Sequence, residues 1–211
     1  MVKLALLWHM HQPWYVGPFS ARPELPWVRI HSIKDYYGMA KLIEEFPGIK
    51  ITFNLVPSLL RQISLYLEGN KDRYQEIFEI DPEVMTKEEA AFLVNNFFST
   101  NYENHIKPFP GYDLLHKKMS EAGGENFSGN WKEIFSNGEL TDLQAWFSLT
   151  NLDQFYREND ERVKELIKKG DGFTDEDKKM IAAIELEIAG KIIPLYKELW
   201  QNGNIEISTT P

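Results

Sequence analysis

The chain has 211 residues, which is enough for one large domain or two small ones. Hydrophobic residues make up 43% of it and aromatic residues 13%, so a packed core is expected and a largely disordered chain is excluded. The formal net charge of −9 argues against a nucleic-acid partner, and the lack of cysteine excludes disulfides, thiolate nucleophiles and cysteine-based zinc sites.

The amino-terminal stretch MVKLALLWHM contains an apolar run that is too short for a secretory signal peptide. No stretch of the sequence approaches the roughly 18 apolar residues that a membrane-spanning helix needs. We therefore expect a soluble, cytoplasmic protein with no membrane partner.

The run KLALLWHMH predicts a first β-strand near residues 3–11, covered on both faces as in a parallel sheet. Alternate residues of a strand share a face, so His9 and His11 should point the same way at its carboxyl end. In α/β barrels that end of the strands carries the active site. Pro13 then ends the strand because it has no N–H to donate to a sheet.

The two histidines allow more than one interpretation. They could simply form hydrogen bonds with neighbouring loops, which is a structural role. A pair of imidazoles at this spacing on a barrel strand is also a known arrangement for binding a divalent metal ion. The residues by themselves leave both interpretations open.

The stretch RPELPWVRIHSIKDYYGM also allows two interpretations. The structural one is a loop that enters a helix, with Ser32 as the N-cap and Asp35 at the third helical position. The functional one is a substrate-binding wall, in which Trp27 stacks on a sugar face and Arg29 orients a carboxylate.

A second strand is predicted near residues 49–55, and Pro57 should begin the helix that follows it. Residues 58–201 are predicted to be mainly helical. Two capping boxes support helix starts within this section, Thr86 with Glu89 and Thr174 with Asp177.

The last helix has an apolar stripe at spacings of three and four residues, and Pro194 is expected to kink it. The stripe consists of Ile181, Ile184, Ile188, Ile192, Leu195 and Leu199. Gly203 suits the end of this helix.

A third strand is then predicted near residues 204–209, with Glu206 on the same face as Ser208 and Thr210. Glu206 is either a ligand-binding group of a barrel interior or half of an ion pair at a sheet edge.

This order of elements predicts an α/β fold, either a barrel or a doubly wound parallel sheet. Three parallel strands cannot close a barrel, which takes about eight. We therefore expect residues 1–211 to be a single domain that is truncated, and we expect its exposed strand edges to promote self-association.

Six blocks occur in order along the chain: HQP at His11 to Pro13, PWVRIHSIKDYYGM, FNLVPSLL, DLQAWF, IIPLYKEL, and GNIEISTTP at residues 203–211. Together they resemble glycoside hydrolase family 57, the group of α-amylases, amylopullulanases and 4-α-glucanotransferases. The HQP block resembles the first signature region of that family, and GNIEISTTP resembles the start of the second. The resemblance runs from Met1 to Pro211.

The resemblance implies a (β/α)7 TIM-like barrel with a large helical insertion between its second and third strands, of which this chain would be the N-terminal portion. It also implies a retaining mechanism on α-1,4- and α-1,6-glucans such as starch, glycogen and pullulan, with no cofactor and no metal. The nucleophile of the family is a Glu and its acid/base is an Asp, both on later strands. Neither region is matched here, so no catalytic residue is assigned within this chain.

By the same resemblance, His11 and Glu206 would form hydrogen bonds with the sugar in the subsite where cleavage occurs. His9 and Trp27 would shape that subsite, and Arg29 completes the set of candidate substrate-binding residues.

Two other functions remain compatible with the sequence. The first is a metal-dependent carbohydrate hydrolase or deacetylase with His9 and His11 as metal ligands. The second is a non-catalytic glucan-binding protein.

We predict that the purified 211-residue chain releases no reducing sugar from starch, because it lacks both catalytic carboxylates that the resemblance implies. A reducing-end assay on the pure chain measures this directly. Amylase activity above that of a mock preparation would contradict the prediction.

Overall fold

A computed structural model describes residues 4–19, 22–124 and 127–210. The chain forms two compact units. The first unit comprises Met1–Arg73, Asp153–Phe155 and Ile184–Pro211, and the second comprises Tyr74–Leu152 and Tyr156–Ala183. The predicted start of the first strand at residue 3, and Pro211 at the end of the last matched block, lie outside the described residues. A single domain over the whole chain stays a prediction.

The first unit contains a parallel sheet of three strands, which confirms the α/β class. The strands are β1 (Leu7–Met10), β2 (Ile51–Leu55) and β3 (Ile205–Ser208), and β2 lies between the other two. All three are shorter than predicted. At the start of β2 the reason is local, because the Ile49 N–H donates to the Phe46 carbonyl in a turn and both side chains remain exposed.

Helices cover one face of this sheet. They are α1 (Trp27–His31), α2 (Tyr37–Glu45) and α3 (Pro57–Leu67), together with the part of α11 (Asp175–Gln201) that belongs to this unit. Pro57 begins α3 as predicted. The predicted N-cap at Ser32 is wrong, because a π-helical segment, Ser32–Tyr36, joins α1 directly to α2.

The core of the first unit lies between the sheet and these helices. Phe53 of β2 is fully buried there and packs edge-on against Trp8 and Tyr196, with ring centroids 5.4 and 5.0 Å away. Other buried members of the core are Val28, Ile43, Leu59, Ile63, Ile192, Leu199 and Ile205. The apolar runs of the sequence therefore form one side of the sheet, which leaves the other side for polar side chains.

The described residues of the second unit form helices joined by turns and loops, with no strand among them. It contains most of α4 (Arg73–Glu79) and α9 (Gln154–Asn159), the beginning of α11, and five further helices. These are α5 (Lys87–Asn96), α6 (Pro110–Glu121), α7 (Trp131–Ile134), α8 (Asn137–Asn151) and α10 (Glu161–Lys169). A second π-helical segment, Tyr102–Ile106, precedes α6.

The predicted helix starts are confirmed. Thr86 and Glu89 form a capping box at α5, and Thr174 and Asp177 exchange the equivalent pair of hydrogen bonds at α11. Helix α11 continues through Pro194 and buries its predicted isoleucine stripe. Gly203 follows with a φ of 69°, a left-handed conformation that favours glycine. In the described segments, no helix is both long enough and apolar enough to span a bilayer.

A buried ion cluster connects distant parts of the first unit. The Arg29 guanidinium is 5% exposed and donates to Asp72 and to Glu185, at 2.9 Å in each case. Burial acts to lower the pKa of Arg29, but the two carboxylates outweigh it and raise the pKa above its ordinary value. The Tyr66 hydroxyl also donates to Asp72, at 3.1 Å. These bonds tie α1 to residues 43 and 156 positions away in the sequence.

We predict that Arg29→Met lowers the free energy of unfolding by about 3–5 kcal/mol, because it removes a buried cation that pairs with two buried carboxylates. Urea denaturation measures the change. The matched control is Arg61→Met, since Arg61 pairs with Glu68 on the exposed surface, where ion pairs contribute little. Equal losses of stability in the two variants would contradict the prediction.

Candidate functional site

The second face of the sheet carries two rows of aligned side chains. The parallel register places His9, Asn54 and Ser208 side by side, and it places Leu7, Thr52 and Glu206 in the row before them. Alternate residues of a strand point to opposite faces, so both rows lie away from the apolar core formed around Phe53. Each row crosses two strand spacings, or roughly 10 Å. This face is therefore predominantly polar. At the carboxyl ends of the strands it borders the residues that follow each strand.

Asn54 is the centre of a hydrogen-bond network on this face. Its side chain is buried, at 4% exposure, although it points away from the core. The Oδ1 atom accepts from Nδ1 of His9 at 2.6 Å and from the Thr210 hydroxyl at 3.1 Å. The Nδ2 atom donates to the Ser208 hydroxyl at 3.0 Å. Asn54 thereby links all three strands through side chains.

The hydrogen bond with Asn54 assigns the proton of the neutral His9 ring. With Asn54 Oδ1 as the acceptor, Nδ1 of His9 is the donor. The neutral imidazole then has an unprotonated Nε2 that can accept a hydrogen bond. His9 is exposed, so a ligand on this face has access to that acceptor.

His11 and Glu206 are also exposed on this side of the unit. The rings of His9 and His11 stack with centroids 5.6 Å apart and planes inclined by 11°. Glu206 accepts a hydrogen bond from the Thr52 hydroxyl at 3.1 Å through Oε2. His9 and Glu206 therefore lie on the same sheet face, in neighbouring rows on the two outer strands, and His11 stacks on His9.

The other two predicted site residues lie on α1. Trp27 is the first residue of that helix and is half-buried, and Arg29 is buried in the ion cluster with Asp72 and Glu185. Among the described contacts, none joins either side chain to the Asn54 network. The guanidinium of Arg29 already binds two carboxylates, so the arrangement gives no support to its expected role of orienting a substrate carboxylate.

Sequence reasoning missed Asn54, which has the largest number of contacts in the network. The signal was present, because an amide in the apolar strand ITFNL is a buried polar group that needs partners. Its partners could not be found from the sequence, since Ser208 is 154 residues away.

The described residues contain no group of three or more His, Cys, Asp or Glu side chains arranged to hold a metal ion. Catalytic zinc sites usually use three protein ligands. The pair His9 and His11 therefore has no third ligand of this kind within the part of the chain that the structure describes.

Exposed imidazoles and hydroxyls beside the carboxyl ends of parallel strands are typical of an α/β enzyme site, and the Glu206 carboxylate lies on the same sheet face. The chain matches the family model described as Glycosyl hydrolase family 57 over residues 5–211. Because this match covers nearly the whole sequence, the chain belongs to glycosyl hydrolase family 57. Membership indicates a hydrolase or glucanotransferase with a carbohydrate substrate. Comparisons with curated proteins and with solved structures gave no match.

We predict that neutral His9 is the Nδ1–H tautomer, because Asn54 Oδ1 accepts its proton. Long-range ¹H–¹⁵N correlation spectra distinguish the two ring nitrogens directly. Asn54→Leu removes the acceptor and should abolish the preference for this tautomer. A protonated Nε2 in the unmodified chain would contradict the assigned hydrogen bond.

Proposed function

We propose that the polar sheet face binds a segment of an α-1,4- or α-1,6-glucan, such as starch, glycogen or pullulan. In this proposal the chain is the N-terminal part of a retaining glycoside hydrolase or glucanotransferase. The observation that carries the proposal is the Asn54 network, which orders His9 beside His11 on an open face. Family membership supports the same conclusion.

The chemistry of the face suits a neutral polyol. Sugar hydroxyls both donate and accept hydrogen bonds, and His9 presents an acceptor at Nε2. Glu206 presents a second acceptor, because Thr52 occupies only its Oε2 atom. His11 lies close enough to His9 for their rings to stack, so the two imidazoles could contact adjacent hydroxyls of one sugar. The net charge of −9 disfavours acidic polysaccharides and places no penalty on a neutral glucan.

We assign the two residues of α1 different roles in this proposal. Trp27 is half-buried and keeps its proposed role as a wall of the sugar site. Arg29 is proposed to act indirectly, by holding α1 in place through its ion pairs with Asp72 and Glu185.

We further propose that β1, β2 and β3 are strands of the seven-stranded barrel that the resemblance implies. The second unit would then be the helical insertion between the second and third strands. In a retaining enzyme two carboxyl groups lie about 5–5.5 Å apart across the scissile bond. Residues such as His11 would orient the sugar ring towards those groups, which is a contribution through positioning. No Glu or Asp of this chain is assigned to either catalytic role.

We predict that maltohexaose perturbs the imidazole resonances of His9 and His11 in ¹H–¹³C spectra, whereas the β-linked cellohexaose perturbs them much less. Glu206→Gln should weaken binding several-fold, because an amide oxygen is a weaker acceptor than a carboxylate. The matched control is Glu45→Gln, which alters an exposed carboxylate at the end of α2 and should leave binding unchanged.

Two results would count against the proposal. The first is equal perturbation by the α- and β-linked oligosaccharides, which would show that the face does not distinguish the linkage. The second is the absence of any perturbation of His9 and His11 at saturating maltohexaose.

A further inference from the structure

The loop that carries His11 is held by a buried glutamine of α3. The Gln62 side chain is 1% exposed, and its Oε1 accepts from the backbone N–H of Tyr15 at 2.8 Å. Its Nε2 donates to the carbonyls of Pro13 at 2.9 Å and of Ser58 at 3.1 Å. One amide therefore binds two backbone groups of the loop and one of its own helix.

Only one of the two orientations of the Gln62 amide satisfies all of its hydrogen-bond partners. The Tyr15 N–H can only donate, and the Pro13 and Ser58 carbonyls can only accept. Rotation of the Gln62 amide by 180° would oppose donor to donor and acceptor to acceptor at all three positions. The loop backbone therefore has a single position relative to α3 in which all three bonds form.

Further bonds hold the residues on either side of His11. The Val56 N–H donates to the Met10 carbonyl at 3.5 Å, and the Ser58 hydroxyl donates to the Gln12 carbonyl at 3.3 Å. The Gln12 side chain donates to the Tyr36 hydroxyl at 3.0 Å. The backbone is thus tied to its surroundings immediately before and after His11.

Position 62 is one where an apolar side chain would otherwise be expected. Its neighbours Leu59, Ile63 and Tyr66 of α3 are buried in the core. Burial of a primary amide is unfavourable unless it is fully hydrogen-bonded. Two of its three hydrogen bonds are to the loop after β1, so the amide mainly holds that loop in place.

We propose that Gln62 is a positioning residue for the sugar site. It fixes the loop from Pro13 to Tyr15 and thereby the direction of the His11 imidazole. The inference rests on the proposed function, because it assumes that His11 contacts a glucan. Gln62 itself lies beneath the loop and does not contact the ligand.

The second unit contains a matched control. Gln144 of α8 is fully buried, and its Nε2 donates to the carbonyls of Ile77 and Ile80 at 2.7 and 2.9 Å. Its Oε1 accepts from Lys178 at 3.1 Å. Gln62 and Gln144 thus each donate to two carbonyls and accept one hydrogen bond, but only Gln62 binds the loop that carries His11.

The experiment compares Gln62→Met with Gln144→Met in the 211-residue chain. Both variants should lose thermal stability, because each removes a buried amide together with its three hydrogen bonds. Only Gln62→Met should shift or broaden the His11 ring resonances in the absence of ligand. It should also raise the dissociation constant for maltohexaose about tenfold, or 1.4 kcal/mol.

A folded Gln62→Met variant with unchanged His11 resonances and unchanged affinity would overturn the inference, as would an equal loss of affinity in Gln144→Met. If Gln62→Met does not fold, Gln62→Glu takes its place. A carboxylate at position 62 still accepts from Tyr15 but cannot donate to Pro13, so His11 should still shift. Unchanged His11 resonances in Gln62→Glu would again overturn the inference.

The two proposals fail in distinguishable ways. If the unmodified chain does not bind maltohexaose, the proposed function fails. The His11 resonances of the ligand-free variants still test whether Gln62 positions the loop. If the unmodified chain binds and Gln62→Met binds equally well with unchanged His11 resonances, only the positioning role fails.

Discussion

The parallel pairing of β2 with both of its neighbours is the constraint on which the site depends. A central strand places each of its side chains between two others, so Asn54 reaches His9 on one side and Ser208 on the other. A shift of one residue in either register would send Asn54 to a different neighbour or to the apolar face. The buried amide makes such a shift costly, because it would lose the bonds that compensate its burial. The polar network and the sheet register therefore stabilise each other.

Helix α3 contributes to the core and to the site at once. Leu59 and Ile63 pack into the core, whereas Ser58 and Gln62 bond to the loop after β1. Because the helix is fixed by its apolar side chains, the loop bonds form against a rigid support. This arrangement explains how a loop with an exposed imidazole can be positioned accurately. It also explains why the sequence interrupts a buried apolar helix face with an amide.

Much of the fold could be predicted from local patterns. Apolar runs indicated the first two strands, an alternating segment after a turn indicated the third, and the capping boxes at Thr86 and Thr174 indicated two helix starts. These signals all lie within a few adjacent residues. The π-helical segment after His31 was missed, since no simple residue pattern marks it. The alternation rule correctly placed Glu206 on the same face as Ser208. Asn54 and Gln62 were missed because their importance depends on partners that the sequence does not identify.

Arg29 shows why the same local reasoning does not identify partners that are distant in the sequence. A cation near a tryptophan in an amino-terminal block resembles a substrate-binding group, but its carboxylate partners are 43 and 156 residues away in the sequence. The polar network around Asn54 likewise depends on residues that are far apart in the sequence. Ser208 and Thr210 come from beyond α11, and without them the Asn54 amide would lose two of its three partners. The Asn54 amide that binds His9 is therefore held in part by residues after α11, so neither end of the chain forms this polar sheet face alone.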